Sequence, residues 1–153
     1  MPANPALKPE DCNCFVVRSA ARHVTQLYDQ FLAPVGLHVT QFSILAKLKR
    51  LGPMTINGLA KEMVMDRTTL GRNVLPLERD GLISIEASAI DGRAKQLHLS
   101  KAGEKRLLVG REAWAQAQAR RRVIRSKRHN QSGDPSGASS SRQAWPIARG
   151  YQN

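Results

Sequence analysis

The sequence predicts a mainly α-helical domain carrying a small β-hairpin, an α+β class of fold. Three observations carry this. Apolar residues recur every three or four positions through four successive segments before residue 80, the period of helices with one buried face. The period then shortens to two in Leu82-Ile83-Ser84-Ile85-Glu86 and again around Leu97 and Leu99, as in half-buried strands. A last helical pattern follows Ser100. With 153 residues, 41% of them hydrophobic, the chain has the length of one domain and enough apolar surface for a modest core.

Residues 12–33 form the first predicted helix, with Phe15, Ala20, Val24, Leu27, Tyr28 and Phe31 on its apolar face. Asp11 is its expected N-cap, and Pro34 and Gly36 end it. Thr40 is expected to cap a second helix bearing Phe42, Leu45, Leu48 and Leu51, stopped by Gly52-Pro53. Thr55 caps a short third helix with Ile56, Leu59, Ala60 and Met63. After Val64-Met65, Asp66 caps a fourth with Leu70, Val74 and Leu77 turned inward. Pro76 removes one helical hydrogen bond and is expected to kink or end that helix. The hairpin has a polar tip containing Asp91-Gly92-Arg93, and Ser100 caps a final helix with Leu107, Leu108 and Trp114 on one side. Helix, helix, short turn, helix, hairpin is the order of a winged helix-turn-helix. There the second helix of the pair enters the major groove, and the hairpin tip reaches the flanking backbone or minor groove.

Charge is the strongest compositional signal: 24 Lys and Arg against 12 Asp and Glu, for a net +12. Such a balance favours polyanionic partners. Its distribution is uneven, since residues 119–153 alone hold eight basic residues and one acid, Asp134. That stretch is rich in Arg, Ser and Gly and has little apolar periodicity, so it is expected to be a disordered basic tail. The expected organisation is a flexible segment over 1–10, the winged domain with partial dimerisation helices over 11–118, and the tail over 119–153. No apolar run approaches the roughly 18 residues of a membrane helix, and no apolar h-region stands at the N-terminus. The two cysteines, spaced Cys-x-Cys, form no disulfide framework. A cytoplasmic protein with no membrane partner is the expectation.

Several stretches resemble the MarR family of bacterial transcription regulators. Thr55-Ile56-Asn57-Gly58-Leu59-Ala60 opens the helix-turn-helix, and Asp66-Arg67-Thr68-Thr69-Leu70 opens the recognition helix. Leu77-Glu78-Arg79-Asp80-Gly81-Leu82-Ile83 leads into the wing, and Asp91-Gly92-Arg93 followed by Leu97-His98-Leu99-Ser100-Lys101-Ala102-Gly103 closes it. The resemblance covers roughly residues 12–118. It implies a homodimer with flanking dimerisation helices, which binds a pseudo-palindromic double-stranded DNA operator and is released by a small ligand or an oxidant. It also implies a ligand pocket between the first, second and fifth helices for an effector the residues do not identify. The departure is C-terminal: the family's interlocking terminal helices give way to the Arg-rich stretch, so a weakened dimer is expected.

The candidate DNA-binding residues follow from the helix faces. With Leu70, Val74 and Leu77 inward, Thr68 and Arg72 share the opposite face, flanked by Thr69 and Asn73, with Arg67 at the helix start. Arg pairs bidentately with guanine, and hydroxyls and amides suit base edges and phosphates. In the wing, Arg93 and Lys95 are candidate groove and phosphate contacts, because narrow A·T tracts concentrate negative potential. By resemblance, Asp91 braces Arg93. The competing reading of both sets is an ordinary solvated surface. Cys14, with Tyr28 fourteen residues on, resembles the organic-hydroperoxide-sensing branch of the family, in which tyrosines of the first helix hydrogen-bond the reactive thiol. A second tyrosine expected four residues after the cysteine is Arg18 here. An arginine and a helix N-terminus both favour a thiolate, and Cys12 is a candidate resolving thiol. The competing reading of Cys14 is a small buried hydrophobe.

No cofactor or metal is expected. Cys-x-Cys is not a zinc spacing, and His23, His38, His98 and His129 are scattered. No phosphate-binding loop, dinucleotide fingerprint or nucleophile elbow occurs, so an enzyme is not expected. The alternatives are a non-specific nucleic-acid binder acting through the basic tail, and a truncated relative with impaired dimerisation.

Overall fold

The structure, a computed structural model, describes residues 8, 12–88, 92 and 94–131, with 121–131 described by backbone alone. The elements run α1 (Asn13–Leu32), α2 (Val39–Leu51), β1 (Met54–Thr55), α3 (Ile56–Met63), α4 (Arg67–Arg79), β2 (Ile83–Ala87), β3 (Lys95–Leu99) and α5 (Lys101–Gln131). Ala33–Val35 make a single 3₁₀ turn after α1, closed by Gly36 in the left-handed region at φ 73°.

One core joins these elements. Leu32, Leu37, Phe42, Ile44, Leu45 and Leu48 meet Leu59 and Ala60 of α3, Leu70, Val74 and Leu77 of α4, Leu82, Ile83 and Leu97 of the wing, and Leu107 of α5. The wing is a three-stranded antiparallel sheet in the order β1-β3-β2, with Ile83 opposite Leu99, Ile85 opposite Leu97, and Met54 on the far side of Leu97. Only a hairpin was expected. Two residues, Met54-Thr55, are too few to display an alternating pattern, so the third strand escapes a sequence reading.

Three of the expected caps are present. Thr55 Oγ1 accepts from the Gly58 N–H at 3.1 Å, Asp66 Oδ1 from the Thr69 N–H at 2.8 Å, and Ser100 Oγ from the Gly103 N–H at 3.0 Å. Thr40 is not a cap: α2 begins at Val39, two residues earlier than that cap would place it, with His38 as N-cap. The reason is tertiary. Asp29 of α1 reaches across, and its Oδ1 accepts the Val39 N–H at 2.7 Å while Gln41 Oε1 accepts the His38 N–H at 3.0 Å. The N-cap of α1 is Cys12; Asp11 lies outside the described residues. Pro76 neither ends nor replaces the last turn of α4, which continues to Arg79. Val74 and Leu77 are buried on either side of it, and the Asp80 N–H bonds back to the Pro76 carbonyl at 2.9 Å. Packing on both flanks outweighs one missing hydrogen bond.

Two helices differ from expectation in which face or half they bury. In α1 only the C-terminal part packs: Tyr28 and Leu32 are buried, whereas Phe15 is 49% exposed and Val16, Val17 and Val24 are exposed as well. The chain's own core does not extend to the start of that helix. In α5 the buried face runs through Gly103, Leu107, Gly110 and Ala117, and Leu108 points away, 65% exposed. Trp114 stacks on Phe42 with ring centroids 6.3 Å apart. A Cβ at Gly110 would stand 3.0 Å from the Phe42 ring, so this glycine permits the helix approach. The helical backbone of α5 reaches Gln131, so the irregular tail expected from residue 119 is corrected to helix over 119–131. Residues 132–153 and nearly all of 1–11 lie outside the described residues.

Candidate nucleic-acid interface

The turn between α3 and α4 sets the interface. The Met65 N–H bonds to the Ala60 carbonyl at 2.9 Å and the Val64 N–H to the Lys61 carbonyl at 3.1 Å, the paired bonds that close a helix around a left-handed residue. That residue is Val64, at φ 53° and 92% exposed. Asp66 then starts α4. Its Oδ2 accepts from the Thr69 hydroxyl at 2.6 Å, in addition to the backbone bond to Oδ1. The Thr69 hydroxyl first, and then the Thr69 N–H, hold the Asp66 carboxyl below its ordinary pKa.

Leu70, Val74 and Leu77 anchor α4, each at most 2% exposed. The opposite face is displayed as expected: Arg67, Thr68, Thr69 and Arg72 are exposed, and Asn73 is half-buried. The side chains are not equivalent. The Thr69 hydroxyl is committed to Asp66, and Asn73 Nδ2 donates to the Thr69 carbonyl at 2.9 Å. The side chains of Thr68 and Arg72 have no hydrogen-bond or ion-pair partner among the described residues. With Arg67, which likewise has no such partner, they are the side chains of this face left free to bond something outside the chain.

Arg67 joins the wing. Together with Thr55, Ile56 and Asn57 at the start of α3, and Ile85, Ala94, Lys95 and Leu97 of the wing, it lines a cleft of about 460 Å³. Lys95 is exposed at the start of β3, opposite Ala87. The fold therefore brings Arg67 and Lys95, distant in sequence, to one cleft. Asp91 and Arg93 lie outside the described residues. The sequence reading passed over Asn57, exposed in the first turn of α3, and Leu75, 63% exposed. Leu75 stands seven residues after Thr68, on the same face, so its helical spacing was the available signal.

Cys12 and Cys14 are both free and exposed, at the N-cap and in the first turn of α1. Cys14 is thus not buried by its own chain. Tyr28 is buried, 5% exposed, toward the other end of the same helix. Fourteen residues of helix separate it from Cys14 by about 21 Å, so one chain does not bring the two together. Near the junction of α1, the 3₁₀ turn and α5, an open cleft of about 630 Å³ is lined by Ala33, Pro34, Val35, Gly36, Ala102, Lys105, Arg106 and Val109. Arg106 spans it by donating to the Val35 carbonyl at 2.9 Å. Among the described residues no cluster of three or more His, Cys, Asp or Glu is placed to hold a metal, and no single helix is long and apolar enough to cross a membrane.

Residues 37–95, from the end of the α1–α2 turn to the start of β3, match the model of the MarR family. Among solved structures, the chain is similar to the transcriptional regulator MosR of M. tuberculosis in complex with DNA, at 36% identity and a TM-score of 0.66, covering 78% of this chain and 93% of that one. It is also similar to the uncharacterized HTH-type transcriptional regulator YwoH of Bacillus subtilis, 29% identical over 90 residues, and to the HTH-type transcriptional repressor IacR of Pseudomonas putida, 24% identical over 102 residues. These matches take in 59% and 67% of this chain and span 65% and 61% of the lengths of the two curated relatives. The helix-turn-helix, the three-stranded wing and the long helices on either side agree with these likenesses: the chain belongs to the MarR family.

Proposed function

We propose that the protein is a cytoplasmic, homodimeric transcription regulator that represses by binding a pseudo-palindromic double-stranded DNA operator. It is a binding protein and not an enzyme. The observation that carries this reading is the pair Thr68 and Arg72, partnerless and exposed on α4 directly opposite three buried anchors. With α4 in the major groove, Arg72 reads a guanine edge and Thr68 an adjacent base or phosphate. Arg67 and Lys95 grip the backbone from their shared cleft, and the wing tip with Asp91 and Arg93 reaches the flanking groove. MosR, the 36% identical relative whose structure is in complex with DNA, supports DNA as the partner, and IacR supports repression. A second copy of the chain covers the exposed Phe15, Val16, Val17 and Val24 of α1. Arg72→Ala is expected to cost about 1–3 kcal/mol of operator affinity and to relax preference at one base position per half-site. Unchanged affinity in a folded Arg72→Ala protein, read by titration on operator DNA, would place the reading face elsewhere.

Release follows from a small ligand or from thiol oxidation, and the exposure of both cysteines at the start of α1 favours the second. An organic peroxide oxidises the Cys14 thiolate to a sulfenic acid and is itself reduced to the alcohol; attack by Cys12 then expels water. A stoichiometric dose is expected to release wild-type protein from DNA, to leave Cys14→Ser bound, and to slow recovery in Cys12→Ser. If Cys14→Ser is released as readily as wild type, oxidation does not act through this thiol.

A further inference from the structure

The turn after α4 and the residue before α5, 19 positions apart along the chain with the wing between them, are held together by short hydrogen bonds. The Leu82 N–H bonds to the Leu77 carbonyl at 2.8 Å and the Gly81 N–H to the Glu78 carbonyl at 2.9 Å, closing α4 around Gly81 at φ 69°. The next two carbonyls are both captured by Ser100. Its hydroxyl donates to the Gly81 carbonyl at 2.6 Å, and its N–H donates to the Leu82 carbonyl at 3.1 Å. The same hydroxyl accepts the Gly103 N–H at 3.0 Å and so caps α5. Gly103 completes the contact from above: a Cβ there would overlap the Leu82 carbonyl oxygen and stand 2.7 Å from Leu99 Cδ1. One hydroxyl thus bonds the turn after α4 and the first turn of α5 at once, while a missing side chain lets the two backbones touch.

We infer that Ser100 and Gly103 are positioning residues that fix the angle between α4 and α5, and thereby the half-site spacing the protein accepts on DNA. The inference rests on the DNA-binding dimer proposed above. The two copies of α4 are held apart by α1 and α5, so the direction in which each α4 leaves α5 sets where it meets the groove. Leverage is high. The 13 residues of α4 extend about 20 Å, and a tilt of about 10° at one end moves the other by about 3.4 Å, the rise of one base pair. Neither residue faces the groove, so neither alters which bases are read.

Wild type, Ser100→Ala, Ser100→Thr and Gly103→Ala are each used to select bound sites from random DNA, followed by titration on operators lengthened or shortened by two base pairs. Ser100→Ala is expected to keep the half-site sequence of wild type while its discrimination between correct and altered spacing falls at least threefold. Ser100→Thr, which keeps the hydroxyl, is expected to restore wild-type discrimination. Gly103→Ala, if folded, is expected to shift the preferred spacing; if it does not fold, the serine pair carries the test. Loss of affinity equal at all spacings, or discrimination unchanged in Ser100→Ala, overturns the inference and leaves the operator reading standing. Failure of wild type to select a paired site overturns that reading instead.

Discussion

Val64 is a β-branched side chain held at φ 53°, in a position that glycine fills most often. Its Cβ crowds its own backbone there, at a cost of about 1–2 kcal/mol. With 92% of the residue exposed, no packing depends on the side chain. Val64→Gly is therefore expected to stabilise the fold by about 1 kcal/mol, less what the added chain entropy of glycine removes, read as a higher midpoint in urea. A lower midpoint would mean that the valine makes contacts this geometry does not provide. The caps show what single residues disclose in advance. Thr55, Asp66 and Ser100 were legible because a cap answers to donors two or three residues away. His38 was not legible, because the acceptor that fixes the start of α2 is Asp29, ten residues earlier on another helix.

At the scale of elements, α4 depends on charge at its N-cap, Asp66. The Asp66 carboxyl is held below its unfolded pKa by the Thr69 hydroxyl and N–H. A depressed carboxyl contributes stability that is present above the unfolded value and lost as pH falls through the folded one. Acid denaturation of Asp66→Asn is therefore expected to be less steep below about pH 4 than that of wild type, with lower stability at neutral pH. Identical acid limbs in urea titrations would remove the cap from the account. Periodicity revealed four helices and the hairpin because each has a sustained apolar face. For α5 it revealed the helix and Leu107 but not the rest of the contact face, which is built on Gly103 and Gly110, residues that mark close approach and carry no hydropathy signal. Phe15 and Val24 were read as core for a related reason: hydropathy reports that a face is to be covered, not which chain covers it.

The whole molecule combines a packed reading head with an arm that its own core leaves uncovered. The apolar half of α1, with Phe15, Val16 and Val17 exposed, is the surface a second copy is proposed to bury. Phe15→Glu is expected to place a charge in that interface and convert dimer to monomer at micromolar concentration, with α4 and the wing still folded. Sedimentation shows this, and an unchanged mass would exclude this half of α1 from the dimer contact. Trp114 of α5 is already stacked on Phe42 of its own chain. Six of the eight basic residues in 119–153, from Arg120 to Arg128, fall within the span of α5. A non-specific polyanion contact through that stretch remains the competing account of the charge, and the two accounts differ in one observable. Site selection from random DNA by the full-length protein reads it directly. A regulator with two α4 helices at fixed separation enriches an inverted repeat whose half-sites lie one helical turn apart, about 34–36 Å. Recovery of unenriched sequence, bound with a steep salt dependence but no preferred motif, would contradict the proposal that this chain reads an operator.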